Sequence, residues 1–199
     1  KAKGRHDFVV VDTPGSYTAL AAHAHRYADT LVTPVNDSFI DFDVLAKLDP
    51  DTLDVIKPAH YALLVREARR QRRADGEGLL DWIVVRNRLS SISSRNEKRV
   101  YECLRDLGML LGYRLADGVG ERVIFREYFH LGLTALDTRP DTEQAQLSLS
   151  HVAARTEVRR LIEILGLPIN DAGRRRQETR RRWLRGERPK VALPPIFAD

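Results

Sequence analysis

Four short runs rich in β-branched and other apolar residues punctuate the chain: Phe8–Asp12, Thr30–Val35, Trp82–Val85 and Tyr113–Ala116. Each is bounded by turn-forming or polar residues, as buried strands are. Helical patterns lie between them. Strands alternating with helices and apolar on both faces predict an α/β domain, a mostly parallel sheet with flanking helices. Ligands in such sheets bind beyond the carboxyl ends of the strands, so the residues just after each run carry the functional information. Asp12-Thr13-Pro14-Gly15 ends the first run, Asn36-Asp37-Ser38 succeeds the second and Arg86-Asn87-Arg88 the third. Either these constellations converge on one site, or they are ordinary loop residues.

Residues 16–28 form an alanine-rich helical stretch. Pro58 opens a second helix through Ala74, with Tyr61, Leu64, Val65 and Ala68 on its apolar face. Arg66, Arg69, Arg70, Arg72 and Arg73 crowd its end, where the helix dipole favours cations, so the cluster needs no partner to explain it. Ser93 or Ser94 caps a third helix that runs to about Leu111. Its Val100, Cys103, Leu104, Leu107, Leu110 and Leu111 share one arc, and Arg95, Lys98 and Arg99 share the opposite one. Residues 122–126 are ambiguous between a strand and a short helix. The last long helix spans residues 147–165, before Gly166, Pro168 and Gly173 mark the end of the domain. The expected organisation is a domain over residues 1–170 and a basic, disordered tail over residues 171–199.

Charge supports that division. The net charge is +5, yet residues 171–199 alone hold nine Lys and Arg against four Asp and Glu, and the first 170 residues carry 24 of each sign. A basic arm on a neutral domain can meet nucleic acid or acidic surfaces, or it can be a charged terminus with no partner. The single cysteine, Cys103, excludes an internal disulfide and a multi-cysteine zinc site, and its helical apolar setting suits a buried, inert thiol. No run of about 18 apolar residues and no signal-peptide pattern occurs, so membrane insertion and secretion are not expected and a cytoplasmic location is.

Asp12 at the end of an apolar run, followed by Thr-Pro-Gly, suits a carboxylate that holds magnesium through water beside a phosphate. The same pattern serves in turns, where the Asp side chain bonds nearby amides. No G-x-x-x-x-G-K-[ST] loop, and no Gly-Lys pair, occurs in the sequence. Asn87 could read a purine edge with its paired donor and acceptor, or cap a turn. His23 and His25 stand in a helical context with no third ligand nearby, which argues against a metal. Arg95 and Arg99 lie one turn apart with Lys98 beside them, a spacing that could meet successive DNA phosphates. Glu102 and Asp106 on the same side would otherwise make this a neutral solvated face.

Asp7-Phe8-Val9-Val10-Val11-Asp12-Thr13-Pro14-Gly15, then Ala28–Asp43, then Asp81–Leu89 resemble the MipZ-type division-plane positioning ATPases of the ParA/MinD group. Further along, Ser94–Arg99, Gly112-Tyr113-Arg114, Glu121–Glu127 and Gly132-Leu133-Thr134 extend the resemblance over residues 5–166. It implies a ParA/MinD-like P-loop NTPase fold represented by its carboxyl-terminal two thirds, without the amino-terminal third and its Lys-Gly-Gly-x-Gly-Lys loop. By resemblance, Asp12 assists magnesium and the attacking water, and Pro14 and Gly15 belong to the switch that senses the terminal phosphate of ATP. Asn87 faces adenine with the loop Ala116, Asp117 and Gly118, and Asn36, Asp37, Ser38 and Phe39 lie near the face of a nucleotide-dependent homodimer. The DNA face implied is Arg95 and Arg99, with Lys98 and Arg122 as lesser members. Gly120 stands where a basic residue would be expected, a loss the Arg-rich tail could offset.

The resulting expectation is an ATP-dependent dimerisation switch with weak ATPase activity. It would bind ParB, chromosomal DNA without sequence preference and FtsZ, whose assembly it would inhibit, in a cytoplasmic, nucleoid-associated setting. The alternative is a non-catalytic module that holds DNA or a protein partner without nucleotide.

Overall fold

The structure, a computed structural model, describes residues 6–15, 18–36, 38–90, 95–137 and 149–167. Val11–Gly166 is one compact unit that holds every described helix and strand. Of the remainder, His6–Val10 and Leu167 are described and belong to no helix or strand. The tail of residues 171–199 lies outside the described residues, as do Ser93 and Ser94, the expected helix cap.

Helix α1 (Ala19–Tyr27) is capped by Thr18, whose hydroxyl accepts from the Ala21 N–H. Strand β1 (Thr30–Asn36) and a 3₁₀ turn (Phe39–Val44) come next. Strands β2 (Ala46–Leu48) and β3 (Val55–Pro58) form an antiparallel hairpin that the sequence pattern does not announce. Pro58 thus closes a strand, where its fixed φ and missing N–H are tolerated, and helix α2 (His60–Ala74) begins two residues later. Strand β4 (Asp81–Asn87), helix α3 (Arg95–Leu111), strand β5 (Arg114–Ala116), helix α4 (Val123–His130) and helix α5 (Leu149–Ile164) complete the unit. The ambiguous segment at residues 122–126 is therefore largely helical.

β1, β4 and β5 form a parallel sheet in the order β1-β4-β5, as the α/β expectation requires. Alternate residues of β4 point to opposite faces. Trp82 and Val84 pack with Val35 against Val65 of α2 and Val100, Leu104 and Leu107 of α3. Ile83 and Val85, with Ala116, pack against Leu161, Ile164 and Leu165. Burial on both faces is why β4 reads as a continuous apolar run. Inside the first layer the Trp82 indole N–H donates to Thr33 Oγ1 at 2.9 Å, and Thr33 shares a second 2.9 Å hydrogen bond with the Tyr61 hydroxyl.

Four expectations need correction. Phe8–Asp12 forms no strand: among the described residues it has no ladder partner, and Phe8, Val9, Val10 and Val11 are exposed, Val10 to 92%. β propensity does not order a segment without a neighbour to accept and donate its backbone hydrogen bonds. Two of the five α2 arginines are braces rather than solvated charges. Arg72 is buried, pairs with Asp29 and Glu77, and donates to the carbonyls of Arg26 and Gly78. Arg69 lies over the Trp82 ring and donates to the carbonyls of Leu80, Leu111 and Gly112. Leu110 is exposed, because the buried arc of α3 narrows to Val100, Leu104 and Leu107. Cys103 is half-buried, and burial pushes its thiol up from its ordinary value, in keeping with an unreactive thiol.

Candidate functional site

Parallel register brings two of the three polar constellations together. Asn36 at the end of β1 is the register partner of Asn87 at the end of β4, and Ala116 at the end of β5 pairs with Val85. Asn36, Asn87 and the chain leaving Ala116 thus share the carboxyl edge of one sheet. Beyond that edge the loops are joined by backbone hydrogen bonds. The Val119 N–H donates to Arg86 O at 2.9 Å, Leu89 N–H to Val119 O at 3.1 Å, and Glu121 N–H to Leu89 O at 3.0 Å. Arg88 sits at φ +54, a left-handed conformation uncommon for a residue with a side chain, and turns the chain after Asn87.

Gly118 is required here. At φ +107, a Cβ on it would lie 2.7 Å from Arg86 O and 2.9 Å from Leu89 Cδ1. Only glycine lets the 116–120 loop press this closely on the end of β4. The loop is held from the other side by Glu157 of α5, which accepts from the Gly120 N–H and pairs with Arg122. Burial opposes ionisation of Glu157, but the hydrogen bonds from Arg122 and Gly120 outweigh it and hold the carboxyl below its ordinary value.

Arg86 anchors this edge to α3. Its side chain is buried, pairs with Glu97 at 3.4 Å, and lies over the Tyr101 ring at 5.4 Å. With Lys98 and Glu102 these residues line a cavity of about 280 Å³. Sequence pattern groups Arg86 with Asn87 and does not reveal that the arginine side chain turns back to the helix. The one signal is an arginine continuing an apolar strand, which burial on both faces turns into a partner requirement.

Arg95 opens α3, and Lys98 and Arg99 are exposed on its first turns. The face is mixed in charge, since Glu102 and the Arg105–Asp106 pair are exposed on the same helix. Arg122, the fourth residue expected to meet DNA, has its guanidinium engaged by Glu157, which raises its pKa. At the loop after β1, the Asn36 N–H donates to Asp41 and the Ser38 N–H to Asn36 O, and Phe39 begins the 3₁₀ turn. Asp37 lies outside the described residues.

The Asp12 constellation has a different character. Asp12, Pro14 and Gly15 are exposed, and among the described residues a Cβ on Gly15 would meet nothing within 4 Å. Among the described residues no three His, Cys, Asp or Glu side chains cluster to hold a metal. His25 is buried, edge-on to Tyr61, in the role of a core residue. No described helix is long and apolar enough to cross a membrane.

Comparison with curated proteins gave no match. The family model described as ATPase MipZ matches residues 1–169, which include the sheet edge, both stitched loops and α3. A match over that share of the chain establishes the family: the chain belongs to the MipZ ATPases, with their ParA/MinD-like P-loop fold.

Proposed function

We propose that the chain acts as an ATP-dependent dimerisation switch for division-site placement, with ParB, FtsZ and non-specific chromosomal DNA as partners and a cytoplasmic, nucleoid-associated location. The observation that carries the reading is the register setting Asn36 beside Asn87, with Ala116, Asp117 and Gly118 continuing from the next strand of the same sheet edge. That is where α/β sheets take nucleotides.

The residues fit the purine end of a nucleotide. Asn87 is half-buried and its amide offers the donor and acceptor that adenine presents. The close-packed Gly118 loop supplies backbone groups fixed in advance of binding. At the phosphate end, exposed Asp12 suits a magnesium ion held through water, a mode in which the protein contributes one or two carboxylates and phosphate oxygens the rest. Bound magnesium-ATP would supply a phosphoanhydride whose hydrolysis resets the switch. Pro14 and Gly15 would sense the terminal phosphate, Gly15 having open space around its Cα. Asn36, Asp37, Ser38 and Phe39 would contribute to the homodimer face. Arg95, Lys98 and Arg99 would meet DNA, with Arg122, which also braces the loop through Glu157, as a lesser member.

The test is calorimetric titration of ATP with magnesium into the 199-residue chain and into a version extended upstream by about a hundred residues, a length within ordinary domain size. Binding that Asn87→Ala weakens supports the switch. No binding by either version leaves the second reading, a DNA- or protein-binding module without nucleotide, which the basic excess of residues 171–199 favours. Replacing Arg95 and Arg99 together by Ala should weaken duplex binding and lower its log–log salt slope by roughly 2. An unchanged slope would move the contact to the tail.

A further inference from the structure

At the amino edge of the sheet, opposite the one that carries Asn36 and Asn87, the ends of three elements are tied together by one side chain. Arg69 of α2 donates to Leu80 O, just ahead of β4, and to the carbonyls of Leu111 and Gly112 at the end of α3, at 3.2, 3.3 and 2.7 Å. Leu79 adjoins the first of these carbonyls in the chain, and Met109 and Leu110 closely precede the other two. The three side chains are 75, 78 and 62% exposed. Single exposed apolar residues are ordinary, but three on segments bridged by one guanidinium make a patch that calls for an explanation.

The same side of α2 carries an excess of positive charge. Arg66 and Arg73 stand three residues before and four after Arg69, so they neighbour it on the helix surface, and both are exposed. The helix dipole accounts for Arg73 in the last turn and not for Arg66 in the middle of the helix. Neither arginine enters an ion pair among the described residues. Glu67 is paired with Arg70, and Arg66 acts on it only through its field. The other acids at this edge are engaged: Asp75 by Arg26, Asp29 and Glu77 by Arg72, and Asp81 by Arg114. Asp106, one turn before the exposed Met109 and Leu110, is paired with Arg105.

We propose that this edge docks an acidic amphipathic segment of a partner protein, its apolar side chains on Leu79, Met109 and Leu110 and its carboxylates on Arg66 and Arg73. Arginine forks take carboxylates through two hydrogen bonds at once, and arginine and methionine are both enriched where proteins meet. Duplex DNA would bring phosphates to the arginines and leave the apolar side chains in water. A single strand stacks on aromatic side chains, and none of the three is aromatic. A second copy docked about a two-fold axis would set the arginines against each other, and residues 171–199 carry charge of the same sign. The edge is separate from the proposed nucleotide site, so the two readings fail independently.

The experiment is an NMR titration of the isotope-labelled 199-residue chain with a synthetic helical peptide of about 18 residues, leucine at i, i+3, i+4 and i+7 and glutamate elsewhere. Saturable shifts are expected at residues 66–73, 79–80 and 109–112, with at least about tenfold weaker binding when lysine replaces the glutamates or serine the leucines. Arg66→Glu with Arg73→Glu, and Leu79→Ser with Met109→Ser, all at exposed positions, should each weaken the peptide by roughly 3- to 10-fold with the spectrum otherwise intact. No saturable binding, equal binding of the lysine peptide, or shifts confined to other residues would overturn the proposal. So would a duplex of about 20 base pairs that shifts the same residues as strongly, or self-association of the chain alone that covers them, which would give the edge to DNA or to a second copy. Loss of ATP binding would leave the peptide's shifts in place.

Discussion

Residues 86–90 with 116–120, and residues 8–15, are both polar sequences adjoining apolar runs, yet they differ in every structural respect. The first pair of segments is joined by two backbone hydrogen bonds, with a third from the adjoining Glu121 N–H, closed on a glycine that no other residue could replace without strain, and braced by Glu157. The second is exposed, without a ladder partner among the described residues, and its glycine meets nothing. Local composition does not distinguish them, since Phe8–Val11 is as β-prone as Trp82–Val85. The difference is supplied by neighbours: β4 has a strand on each side and a helix layer on each face, and order arises from those contacts.

The largest expected contrast comes from placing a charge in each run. Val84→Asp puts a carboxylate into a fully buried site among apolar side chains, and should cost more than about 4 kcal/mol, enough to prevent folding. Val10→Asp at a 92% exposed position should change stability by no more than about 0.5 kcal/mol. Urea unfolding followed by circular dichroism measures both. Equal loss in the two variants would show that the amino-terminal run is packed in solution, and the comparison would break.

A pair of glycine substitutions sharpens the same comparison at the loops. Gly118→Ala combines a positive φ with a Cβ 2.7 Å from a carbonyl oxygen, and should cost about 2–4 kcal/mol. Gly15→Ala should lie within about 0.5 kcal/mol of the parent, there being no atom for its methyl to meet. If Gly15→Ala nonetheless abolishes ATP turnover, the proposed role of Gly15 at the terminal phosphate is strengthened, since stability could not account for the loss.

Which parts of the molecule are legible in its sequence depends on which interactions are local. The parallel α/β architecture, β1, β4, the helices and the strand-end placement of Asn36 and Asn87 come from short apolar runs and 3.6-residue periodicity. The β2–β3 hairpin escapes such reading because Ala46–Leu48 and Val55–Pro58 are short and their alternation is weak. Arg72 and Arg69 look solvated because dipole reasoning sees one helix, whereas their partners Asp29, Gly78 and Leu111 come from outside it. Gly118 can be read as a turn glycine, but its closeness to Arg86 depends on the register of β4 against β5. The side-chain pairing of Arg86 with Glu97 depends on the packing of α3 against the sheet.

Acid should expose a further property of the built region, the cost of its buried histidine. Burial pushes His25 below its ordinary value of 6.5, so the folded protein favours the neutral ring. The unfolded chain then binds more protons as the pH falls, and stability declines. The contribution is fully present above pH 6.5 and is lost as the pH drops from 6.5 through the depressed folded value. The thermal midpoint should fall between about pH 7.5 and about pH 5, and His25→Met should flatten that fall. An undiminished decline in the His25→Met variant would assign the acid sensitivity to carboxylates.

The smallest effect separates the brace of the 116–120 loop from its backbone stitching. Glu157→Gln removes the charge that pairs with Arg122 but keeps an oxygen able to accept from the Gly120 N–H, so the loop loses one of two restraints. Both partners are about a quarter exposed, and solvent screening limits the loss to roughly 0.5–1 kcal/mol. Because the folded carboxyl titrates below its ordinary 4.5, its contribution is present above pH 4.5 and disappears as the pH falls through the folded value. Parent and variant should therefore differ at about pH 7 and converge in acid. Amide exchange at Val119 and Gly120 reads the loop directly. A faster Gly120 with an unchanged Val119 would mean that the side-chain brace and the stitch to Arg86 O act independently, while acceleration of both would mean that α5 holds the whole loop on the sheet edge.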